Sequence, residues 1–425
     1  MKIIVVGGGG REHAIIKKLK ENKNVEKIYA LPGNGGIAAD AECVPIGAKD
    51  IDNIVDFAIN NKIDFAVVAP DDPLVLGAVD ALDAAGIKCF GPTADAAIIE
   101  GSKVFSKNLM KKYGIPTASY EVFDSADKAL EYVENAPMPA VIKADGLALG
   151  KGVIIAKTVD EARGAVNSIM NDKIFGKSGN SIVIEEFLEG PEISVLAFTD
   201  GKTIKPMISS MDHKRALDGD EGLNTGGMGT IAPNPYYTEK VAEECMNKIF
   251  LPTVEAMNAE NRTFKGCFYL GLMLTADGPM VIEYNCRFGD PETQVVLPLL
   301  KSDLLDIMLA VADSRLDEVP VEFSGESACC VILASKGYPV KYESGFELTL
   351  PRTDHKTEYF IAGAKLEDGK LYSAGGRVLG VTAVAPTLPE AVSRAYDATD
   401  KVGFSNGFCR RDIGKRALKV IEEAN

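Results

Sequence analysis

The segment of residues 281–292 carries two side-chain oxygen ligands and a guanidinium group at strand spacing. Glu283 and Asn285 alternate with Ile282 and Tyr284, so both should point to one face of a strand, and Arg287 follows on that face. A carboxylate and an amide oxygen suit Mg²⁺, which takes one or two carboxylates together with phosphate oxygens and water. The pattern predicts a magnesium–phosphate site; a buried polar cluster that closes the strand is the structural alternative.

A second segment, residues 141–153, places two lysines among glycines between two predicted strands. It is not a P-loop, because three residues separate Gly146 from the next glycine and Gly152, rather than Ser or Thr, follows Lys151. A flexible hairpin that folds over a triphosphate explains this composition, with Lys143 supplying a positive charge from the strand. A β-hairpin that binds nothing is the alternative.

The glycines at residues 7–10 follow the first predicted strand and precede Arg11 and Glu12. Glycines at such a junction let the backbone approach a phosphate at a helix N-terminus, where free N–H groups attract anions. A dinucleotide fingerprint would need a glycine in place of Glu12 and an acidic residue after strand two, which instead ends in Leu31-Pro32. We therefore expect phosphate binding rather than NAD binding, with an unliganded turn as the alternative.

Two further segments carry polar groups near predicted strand ends. The sequence at residues 184–188, followed by Glu192, could form a hinge that binds adenine through its backbone and ribose through a carboxylate, although adjacent glutamates are often one solvated residue beside one ion-paired residue. The long polar segment 212–229 is expected to be a functional loop. We assign no catalytic role to His213, since a histidine beside Lys and Arg is more often simply hydrogen-bonded.

Several predicted structural units must position these residues. Apolar runs alternate with helical patterns over the first hundred residues, which predicts a doubly wound parallel sheet of α/β type. A small subdomain follows, with a helix opened by the capping box Thr158 to Glu161, then an α+β platform and a β-rich end. We expect an N-terminal domain at 1–101, a central domain at 102–320 with a small lid at about 117–190, and a C-terminal β-rich domain at 321–425.

Charge and composition exclude several classes of protein. The chain has 425 residues and a formal charge of −15, the wrong sign for a partner that is nucleic acid or an anionic membrane. No apolar run reaches the length of a membrane span, and the first strand is too short for a signal peptide, so we expect a cytoplasmic protein. The 8 cysteines form no C-x-x-C pair and the 3 histidines are dispersed, so catalysis should rest on Lys, Arg and carboxylates.

Taken together, these motifs resemble the ATP-grasp superfamily and, within it, the phosphoribosylamine-glycine ligase family, over the whole chain. The motifs that carry the resemblance are Gly7-Gly8-Gly9-Gly10-Arg11-Glu12-His13-Ala14, Pro32-Gly33-Asn34, Gly101-Ser102-Lys103, Ile142-Lys143-Ala144-Asp145-Gly146-Leu147, Asp212-His213-Lys214-Arg215, Asn224-Thr225-Gly226-Gly227-Met228-Gly229, Arg287-Phe288-Gly289-Asp290-Pro291-Glu292 and Arg411-Asp412-Ile413-Gly414. The resemblance implies a central ATP-grasp domain and the ATP-dependent ligation of glycine to 5-phosphoribosylamine in purine biosynthesis, through a glycyl phosphate.

The resemblance also implies roles for individual residues. The ATP site would comprise Lys103, Lys143, Gly146, Lys151, Gly152, Arg215 and Asn224 at the phosphates, Glu185, Glu186, Phe187 and Leu188 at the adenine, and Glu192 at the ribose. Glu283 and Asn285 would bind Mg²⁺ or Mn²⁺, Arg287 would stabilise the acyl phosphate, and Asp212 and Asp290 would orient glycine. The phosphoribosylamine site would comprise Gly8, Gly9, Gly10, Arg11, Pro32, Gly33, Asn34 and Asp71.

The sequence departs from the family pattern in a few places, and other functions stay open at this stage. Asp71 stands where the family usually has Glu, Leu149 precedes Gly150 where Ala is usual, and Thr230 replaces another Ala. The shorter arm of Asp71 affects the expected contact to the ribosyl substrate. The alternatives are a nicotinamide-dependent oxidoreductase, another ATP-grasp carboxylate ligase and an inactive nucleotide sensor. We expect a monomer or small homo-oligomer.

Overall fold

The computed structural model describes residues 1–147, 152–352 and 354–424. Its first section is a parallel sheet in the order β3-β2-β1-β4-β5, with every neighbouring pair parallel. The strands are β1 (Lys2–Gly7), β2 (Lys27–Pro32), β3 (Glu42–Cys43), β4 (Phe65–Val68) and β5 (Lys88–Phe90). The helices are α1 (Gly10–Leu19), α2 (Ile51–Asn60), α3 (Asp71–Val75), α4 (Ala78–Ala84), α5 (Ala94–Gly101) and α6 (Lys103–Tyr113).

The apolar runs of this section are buried because helices cover both faces of the sheet. Residues 3–6 of β1 are fully inaccessible to solvent, as expected for a central parallel strand. The glycine-rich turn and Asp71 both follow the carboxyl end of a strand, β1 and β4 respectively. Ligands of open α/β sheets bind at this edge. The predicted doubly wound sheet is confirmed.

A small antiparallel sheet follows, in the order β6-β9-β7-β8, with two helices packed on it. Its elements are β6 (Tyr120–Phe123), α7 (Ala126–Val133), β7 (Ala140–Ala144), β8 (Val153–Ala156), α8 (Val159–Val166) and β9 (Ile182–Glu186). The Thr158 side chain accepts from the Glu161 amide, so the predicted cap of α8 forms. We call this unit the lid; it has a hydrophobic cluster of its own.

The next section builds a second antiparallel sheet in the order β11-β10-β16-β17. Its strands and the short strands between them are β10 (Glu192–Thr199), β11 (Ile204–Pro206), β12 (Met211–Asp212), β13 (Arg215–Leu217), β14 (Glu221–Asn224), β15 (Gly229–Ala232), β16 (Gly266–Thr275) and β17 (Gly278–Asn285). The helices are α9 (Glu239–Cys245), α10 (Leu251–Ala259), α11 (Thr293–Leu299) and α12 (Leu304–Ala312). The segment expected as a loop contains the hairpin β13–β14.

The last section is β-rich, as predicted, and its main sheet runs in the order β12-β15-β18-β23-β20, with β24 also paired to β18. The new elements are β18 (Ser327–Ser335), β19 (Glu347–Leu348), β20 (Thr357–Ile361), β21 (Ala364–Glu367), β22 (Lys370–Ser373), β23 (Arg377–Ala385), α13 (Leu388–Thr399), β24 (Gly407–Phe408) and α14 (Lys415–Ala424). Two of its strands, β12 and β15, come from the preceding section. One continuous sheet therefore joins chain segments on both sides of residue 320.

Among the residues that the structure describes, none of the helices combines the length and apolar character needed to cross a bilayer.

Candidate functional site

The glycine-rich turn packs against the segment that follows β17. Arg11 donates from NH1 to the Phe288 carbonyl at 3.0 Å, and its amide donates to Asp290 Oδ2 at 3.2 Å. A Cβ placed on Gly9 would lie 3.3 Å from Asp290 Oδ2, so the backbone of the turn lies close to this carboxylate. Arg11 and Asp290 are 279 residues apart in the chain. The two motifs that contain them therefore form one surface.

The backbone of this turn is held by two neighbours. Glu12 closes the start of α1 by accepting from the Gly9 amide at 2.5 Å and from Arg11 Nε at 2.6 Å. A Cβ on Gly8 would lie 2.3 Å from the Gly33 carbonyl oxygen, so the turn and the segment after β2 are in direct backbone contact. The Gly33 amide donates to the Gly7 carbonyl at 3.1 Å.

Asn34 organises this neighbourhood with both ends of its amide group. Its Nδ2 donates to the Gly8 carbonyl at 2.9 Å and to the Ile361 carbonyl at 2.8 Å, and its Oδ1 accepts from the Gly36 and Ile37 amides. The side chain thus joins the turn to the C-terminal strand β20. Pro32 ends β2 directly before this contact. Substrate binding by the turn and by residues 32–34 remains a prediction.

Arg287 connects the N-terminal section to the centre of the molecule. Its NH2 lies 3.4 Å from Glu100 Oε1 and donates to Asn285 Oδ1 at 3.2 Å. Although burial alone would lower the pKa of Arg287, Glu100 and Asp71 raise it, so the guanidinium is firmly charged. Its Nε is buried with no hydrogen-bond partner among the described residues, which leaves one donor for a bound group.

Asp71, at the start of α3, is electrostatically part of this cluster. Burial would raise the pKa of Asp71, but Arg287 and Arg11 outweigh burial and lower it. The aspartate is therefore ionised and faces the two arginines that contact residues of the 285–290 segment. Its predicted contact with the ribosyl substrate is untested.

Lys103 lies at the first turn of α6 and reaches the lid. Its Nζ donates to the Gly146 carbonyl at 2.9 Å, while the Asp145 carboxylate accepts from Ser102 Oγ at 3.0 Å and from the Val104 amide at 3.2 Å. Burial lowers the pKa of Lys103. The strand–glycine segment is thus fastened to the N-terminus of α6. Gly152, at the other end of the glycine segment, accepts from Ala144 through its carbonyl, and Lys151 lies outside the described residues.

Lys143 and Glu185 form a buried ion pair across lid strands β7 and β9. Lys143 Nζ lies 2.9 Å from Glu185 Oε1 and donates to Oε2 at 3.0 Å, and it also donates to the Ile282 carbonyl at 3.0 Å. Lys107 of α6 contacts the same carboxylate at 3.0 Å. Glu186 is exposed and accepts from the Ser119 amide. The adjacent glutamates are therefore one ion-paired residue and one exposed residue, the ordinary alternative recognised in the sequence.

The expected hinge continues out of β9 as irregular chain. Phe187 is exposed and Leu188 is half-buried. The described contacts place the carboxylate of Glu185 in the lid interior, so an adenine contact would fall to the backbone that follows it. Residues 185–188 as an adenine hinge remain a prediction.

Glu283 is the point on which the positive charges converge. Burial alone would raise the pKa of Glu283, but three lysines and Arg287 outweigh burial and lower the pKa. The lysines that act on it are Lys214, Lys143 and Lys103. Lys214 Nζ lies 3.8 Å from Glu283 Oε1 and 3.4 Å from Glu192 Oε2. Glu192 raises the pKa of Lys214 well above its usual value.

The donor set on β17 fits a divalent cation that also binds phosphate. An ionised carboxylate at Glu283 and an amide oxygen at Asn285 are hard oxygen ligands, and the nearby cations suit phosphate groups. No cluster of three or more His, Cys, Asp or Glu side chains at metal-binding distance occurs within 1–147, 152–352 and 354–424. Metal binding by Glu283 and Asn285 remains a prediction.

Arg215 and Asn224 face each other across the hairpin β13–β14. Arg215 NH1 donates to the Gly222 carbonyl at 2.8 Å, inside the hairpin. Binding of nucleotide phosphates by Arg215 and Asn224 remains a prediction. Buried Arg410 anchors the hairpin, because it donates to the Arg215 carbonyl at 3.1 Å and to Asp220 at 3.0 Å.

Asp212 and Asp290 have opposite electrostatic environments. Burial raises the pKa of Asp212 well above its usual value, and Glu292 adds to this effect. Burial would also raise the pKa of Asp290, but Arg377 and Arg11 lower it. Arg377 NH1 lies 3.3 Å from Asp290 Oδ1. A neutral acid and a carboxylate in neighbouring segments suit the two ends of a small zwitterion. The glycine role of both residues remains a prediction.

Sequence reasoning missed three charged residues of this region. Lys107 lies one turn after Lys103 on α6, a spacing visible in the sequence. Glu100 directly precedes the motif Gly101-Ser102-Lys103. Arg377, in β23, has no sequence signal, because only the tertiary fold brings it to Asp290. His213 is buried and hydrogen-bonded through both ring nitrogens, to the Gly229 carbonyl and the Gly414 amide.

Comparison with known proteins identifies relatives over the whole chain. Three family models match in order: the phosphoribosylglycinamide synthetase N domain at residues 1–100, its ATP-grasp (A) domain at 101–293 and its C domain at 328–416. The phosphoribosylamine–glycine ligase of Halalkalibacterium halodurans is 48% identical over 98% of this chain and 97% of its own. That of Caldanaerobacter subterraneus subsp. tengcongensis is 46% identical over 97% of this chain and 99% of its own.

Solved structures agree with this result. The crystal structure of phosphoribosylamine–glycine ligase from Thermotoga maritima has a TM-score of 0.85 and 34% identity, and the match covers 97% of this chain and all of that one. The biotin carboxylase domain of the Hydrogenobacter thermophilus 2-oxoglutarate carboxylase, at 15% identity and a TM-score of 0.73 over 96% of this chain and 91% of that one, shares the fold. With its domains matched in order and its full-length relatives above 40% identity, the chain belongs to the phosphoribosylglycinamide synthetase family.

Proposed function

We propose that the chain ligates glycine to 5-phosphoribosylamine at the expense of ATP, giving glycinamide ribonucleotide, ADP and phosphate in de novo purine biosynthesis. Full-length relatives of this name support the reaction. The structural observation that carries it is the set of cations around Glu283. Lys214 Nζ lies 3.8 Å from Glu283 Oε1, and Lys143 Nζ donates to the carbonyl of the preceding residue, Ile282. Lys103 acts with them to lower the pKa of Glu283. Three cations around one ionised carboxylate form a site for a polyphosphate with its metal.

The carboxylate of glycine is a poor electrophile, so it must first be activated. One glycine oxygen attacks the γ-phosphorus of ATP, the bond to the β–γ bridging oxygen breaks, and ADP leaves with that electron pair. Arg287, whose buried Nε has an open donor position, supports the negative charge of the resulting glycyl phosphate. Phosphoryl transfer of this kind depends mainly on positioning and charge neutralisation.

The amine of phosphoribosylamine then attacks the acyl carbon, and phosphate leaves while the amine loses a proton. The glycine-rich turn brings an amine substrate to the right place, because Arg11 contacts both Phe288 and Asp290. The amides of Gly9 and Arg11 already donate to Glu12 and Asp290, so the 5-phosphate would use the other amides at the start of α1. Binding of both substrates beside Arg287 needs no covalent enzyme intermediate.

A divalent metal, Mg²⁺ or Mn²⁺, would be held by Glu283 and Asn285 and would neutralise charge on the nucleotide phosphates. Lys103 and Lys143 hold the phosphates from the α6 and lid sides. We further propose a cytoplasmic protein whose partners are the small-molecule substrates, with neither nucleic acid nor membrane, as a monomer or small homo-oligomer.

The test is ADP release with Mg-ATP, omitting in turn glycine and phosphoribosylamine made in situ from ribose 5-phosphate and ammonia. Turnover that requires both substrates supports the proposed reaction. ADP release that ignores either substrate contradicts it and points to a different acceptor at the N-terminal turn. Mass spectrometry of the product separates glycinamide ribonucleotide formation from simple ATP hydrolysis.

A further inference from the structure

Lys107 occupies the interior between α6 and the lid, and the proposed reaction gives it no role. Its side chain is 3% exposed, and its Nζ lies 3.0 Å from Glu185 Oε2. It also donates to Thr117 Oγ1 at 2.8 Å and to the Ala118 carbonyl at 3.4 Å. The protein therefore supplies acceptors for all three protons of this ammonium group.

Lys143 shares the same carboxylate from the lid side. Its Nζ lies 2.9 Å from Glu185 Oε1 and hydrogen-bonds Glu185 Oε2 and the Ile282 carbonyl. That carbonyl belongs to the residue directly before Glu283, so Lys143 lies beside the proposed metal and phosphate site. Of the two lysines on Glu185, Lys143 is therefore the one placed to turn toward another anion.

Glu185 is 4% exposed, so it needs at least one counter-ion at all times. A buried carboxylate left without a partner is strongly destabilising, because it has lost its hydration and gained no opposite charge. If Lys143 alone neutralised Glu185, a nucleotide phosphate that drew Lys143 away would incur that cost. The second lysine removes this obstacle.

We propose that Lys107 is a positioning residue that keeps Glu185 paired, so that Lys143 can transfer hydrogen bonds to the ATP phosphates. The inference rests on the proposed ATP-binding role of Lys143. Thr117 extends the arrangement, since its hydroxyl donates to the Val281 carbonyl at 2.7 Å. Lys107 is thereby fixed against β17, the strand that carries Glu283, and stays in place when Lys143 moves.

The charge state of Lys107 provides a second readout. Burial, helped by Lys143 and opposed by Glu185, lowers the pKa of Lys107 to about 8. Glu186 also acts on it, and the Tyr120 ring lies 5.5 Å from its Nζ. Above pH 8 Lys107 becomes neutral, Glu185 relies on Lys143 alone, and nucleotide affinity should fall.

The experiment measures the binding of Mg-AMP-PNP by calorimetry, in the absence of glycine and phosphoribosylamine. The proteins are the wild type, Lys107→Met and Lys107→Arg, each measured between pH 7 and 9.5. At pH 7 Lys107→Met should bind about tenfold more weakly than wild type. Wild-type affinity should fall between pH 7 and 9.5 by more than that of either variant, because Met carries no charge and Arg keeps its charge. Comparing proteins at each pH cancels the titration of the nucleotide itself.

Lys111→Met is the matched control, because exposed Lys111 lies on the same helix, 5.7 Å from the same Tyr120 ring, but does not pair with Glu185. It should bind like wild type. If Lys107→Met fails to fold, the pH dependence of Lys107→Arg decides alone. Equal affinity of Lys107→Met and wild type, or equal pH dependence of Lys107→Arg and wild type, overturns the inference but leaves the proposed function intact. Absence of nucleotide binding by the wild-type protein overturns both.

Discussion

Arg377 reaches from the C-terminal sheet to Asp290, with NH1 3.3 Å from Oδ1 and donating to the Asp290 carbonyl at 2.9 Å. The same nitrogen donates to the Gly226 carbonyl at 2.9 Å. One guanidinium therefore fixes the relative position of two motif segments, residues 224–229 and 287–292. The C-terminal section is thus a direct part of the candidate site.

Replacing Arg377 with Met should lower kcat/KM for glycine by about 30- to 100-fold, the effect of losing about 2–3 kcal/mol of charged hydrogen bonding. The loss has this size because Asp290 would keep only its bonds from Arg11 and Gln294. Steady-state kinetics with varied glycine measure it. Arg394→Met, which removes an exposed ion pair to Asp354 in the same section, is the control and should stay near wild type. Equal kinetics of the two variants would contradict the role of Arg377.

Glu283→Ala should abolish ADP formation while leaving the fold intact. The change removes the carboxylate on which the lysines converge, so the metal and the nucleotide phosphates lose their shared ligand. An ADP-release assay and a thermal melting curve, run on the same preparation, measure both effects. Asp277→Ala, in the exposed turn of the hairpin β16–β17, is the control. Normal turnover by Glu283→Ala would remove Glu283 from the metal site.

His213 should make stability depend on acidity. Burial lowers its pKa to about 4, from an ordinary value of 6.5, and Arg410 lowers it further. Between pH 6.5 and 4 the unfolded chain binds the extra proton, so the stabilisation is complete above 6.5 and is lost as pH falls toward 4, by about 3 kcal/mol in total. His213→Gln should show a shallower fall in melting temperature over this range.

His13 titrates in the same direction, because burial lowers its pKa too. It is present in both proteins, so the difference between wild type and His213→Gln isolates the contribution of His213. Parallel curves for the two proteins would show that His213 does not carry this pH dependence.

Gly8→Ala should damage the N-terminal turn. The added Cβ would lie 2.3 Å from the Gly33 carbonyl oxygen, a backbone atom that can move only with its whole segment, so a loss of about 1–3 kcal/mol is expected. Thermal melting and the KM for phosphoribosylamine should both change. Gly47→Ala is the control, since a Cβ there meets no atom of the described chain within 4 Å. An unchanged KM in Gly8→Ala would separate the turn from the amine substrate.

The sequence predicted the sheet types well because apolar periodicity reports burial directly. Residues 3–6 form a continuous apolar run and are the central parallel strand, and the cap at Thr158 forms as its spacing indicates. The segment 212–229 was less readable, since its polar, glycine-rich composition hides the short hairpin β13–β14. That hairpin is anchored by Arg410, which lies 195 residues after Arg215 in the chain and donates to its carbonyl.

The residues of the candidate site likewise differ in how well the sequence alone predicts them. Local patterns in the sequence singled out Lys143 and Glu283, and the family resemblance added Lys103. Side chains whose importance comes from a distant partner carry no such pattern. Arg377 meets Asp290 through tertiary structure alone, and Lys107 looks like any helical lysine until β9 places Glu185 against it.

The sheet that joins β12 and β15 to β18 and β23 sets an order of assembly during synthesis on the ribosome. Strand β15 pairs with β18, so it lacks this partner until residues 327–335 have emerged from the ribosome. Strand β18 in turn pairs with β23, which comprises residues 377–385. Since domains of a growing chain fold from the N-terminus as they emerge, the N-terminal parallel sheet, which carries the glycine-rich turn, can form early. The segment around Asp212, by contrast, takes its final place only after nearly the whole polypeptide has been made, so a prematurely terminated chain lacks a finished candidate site.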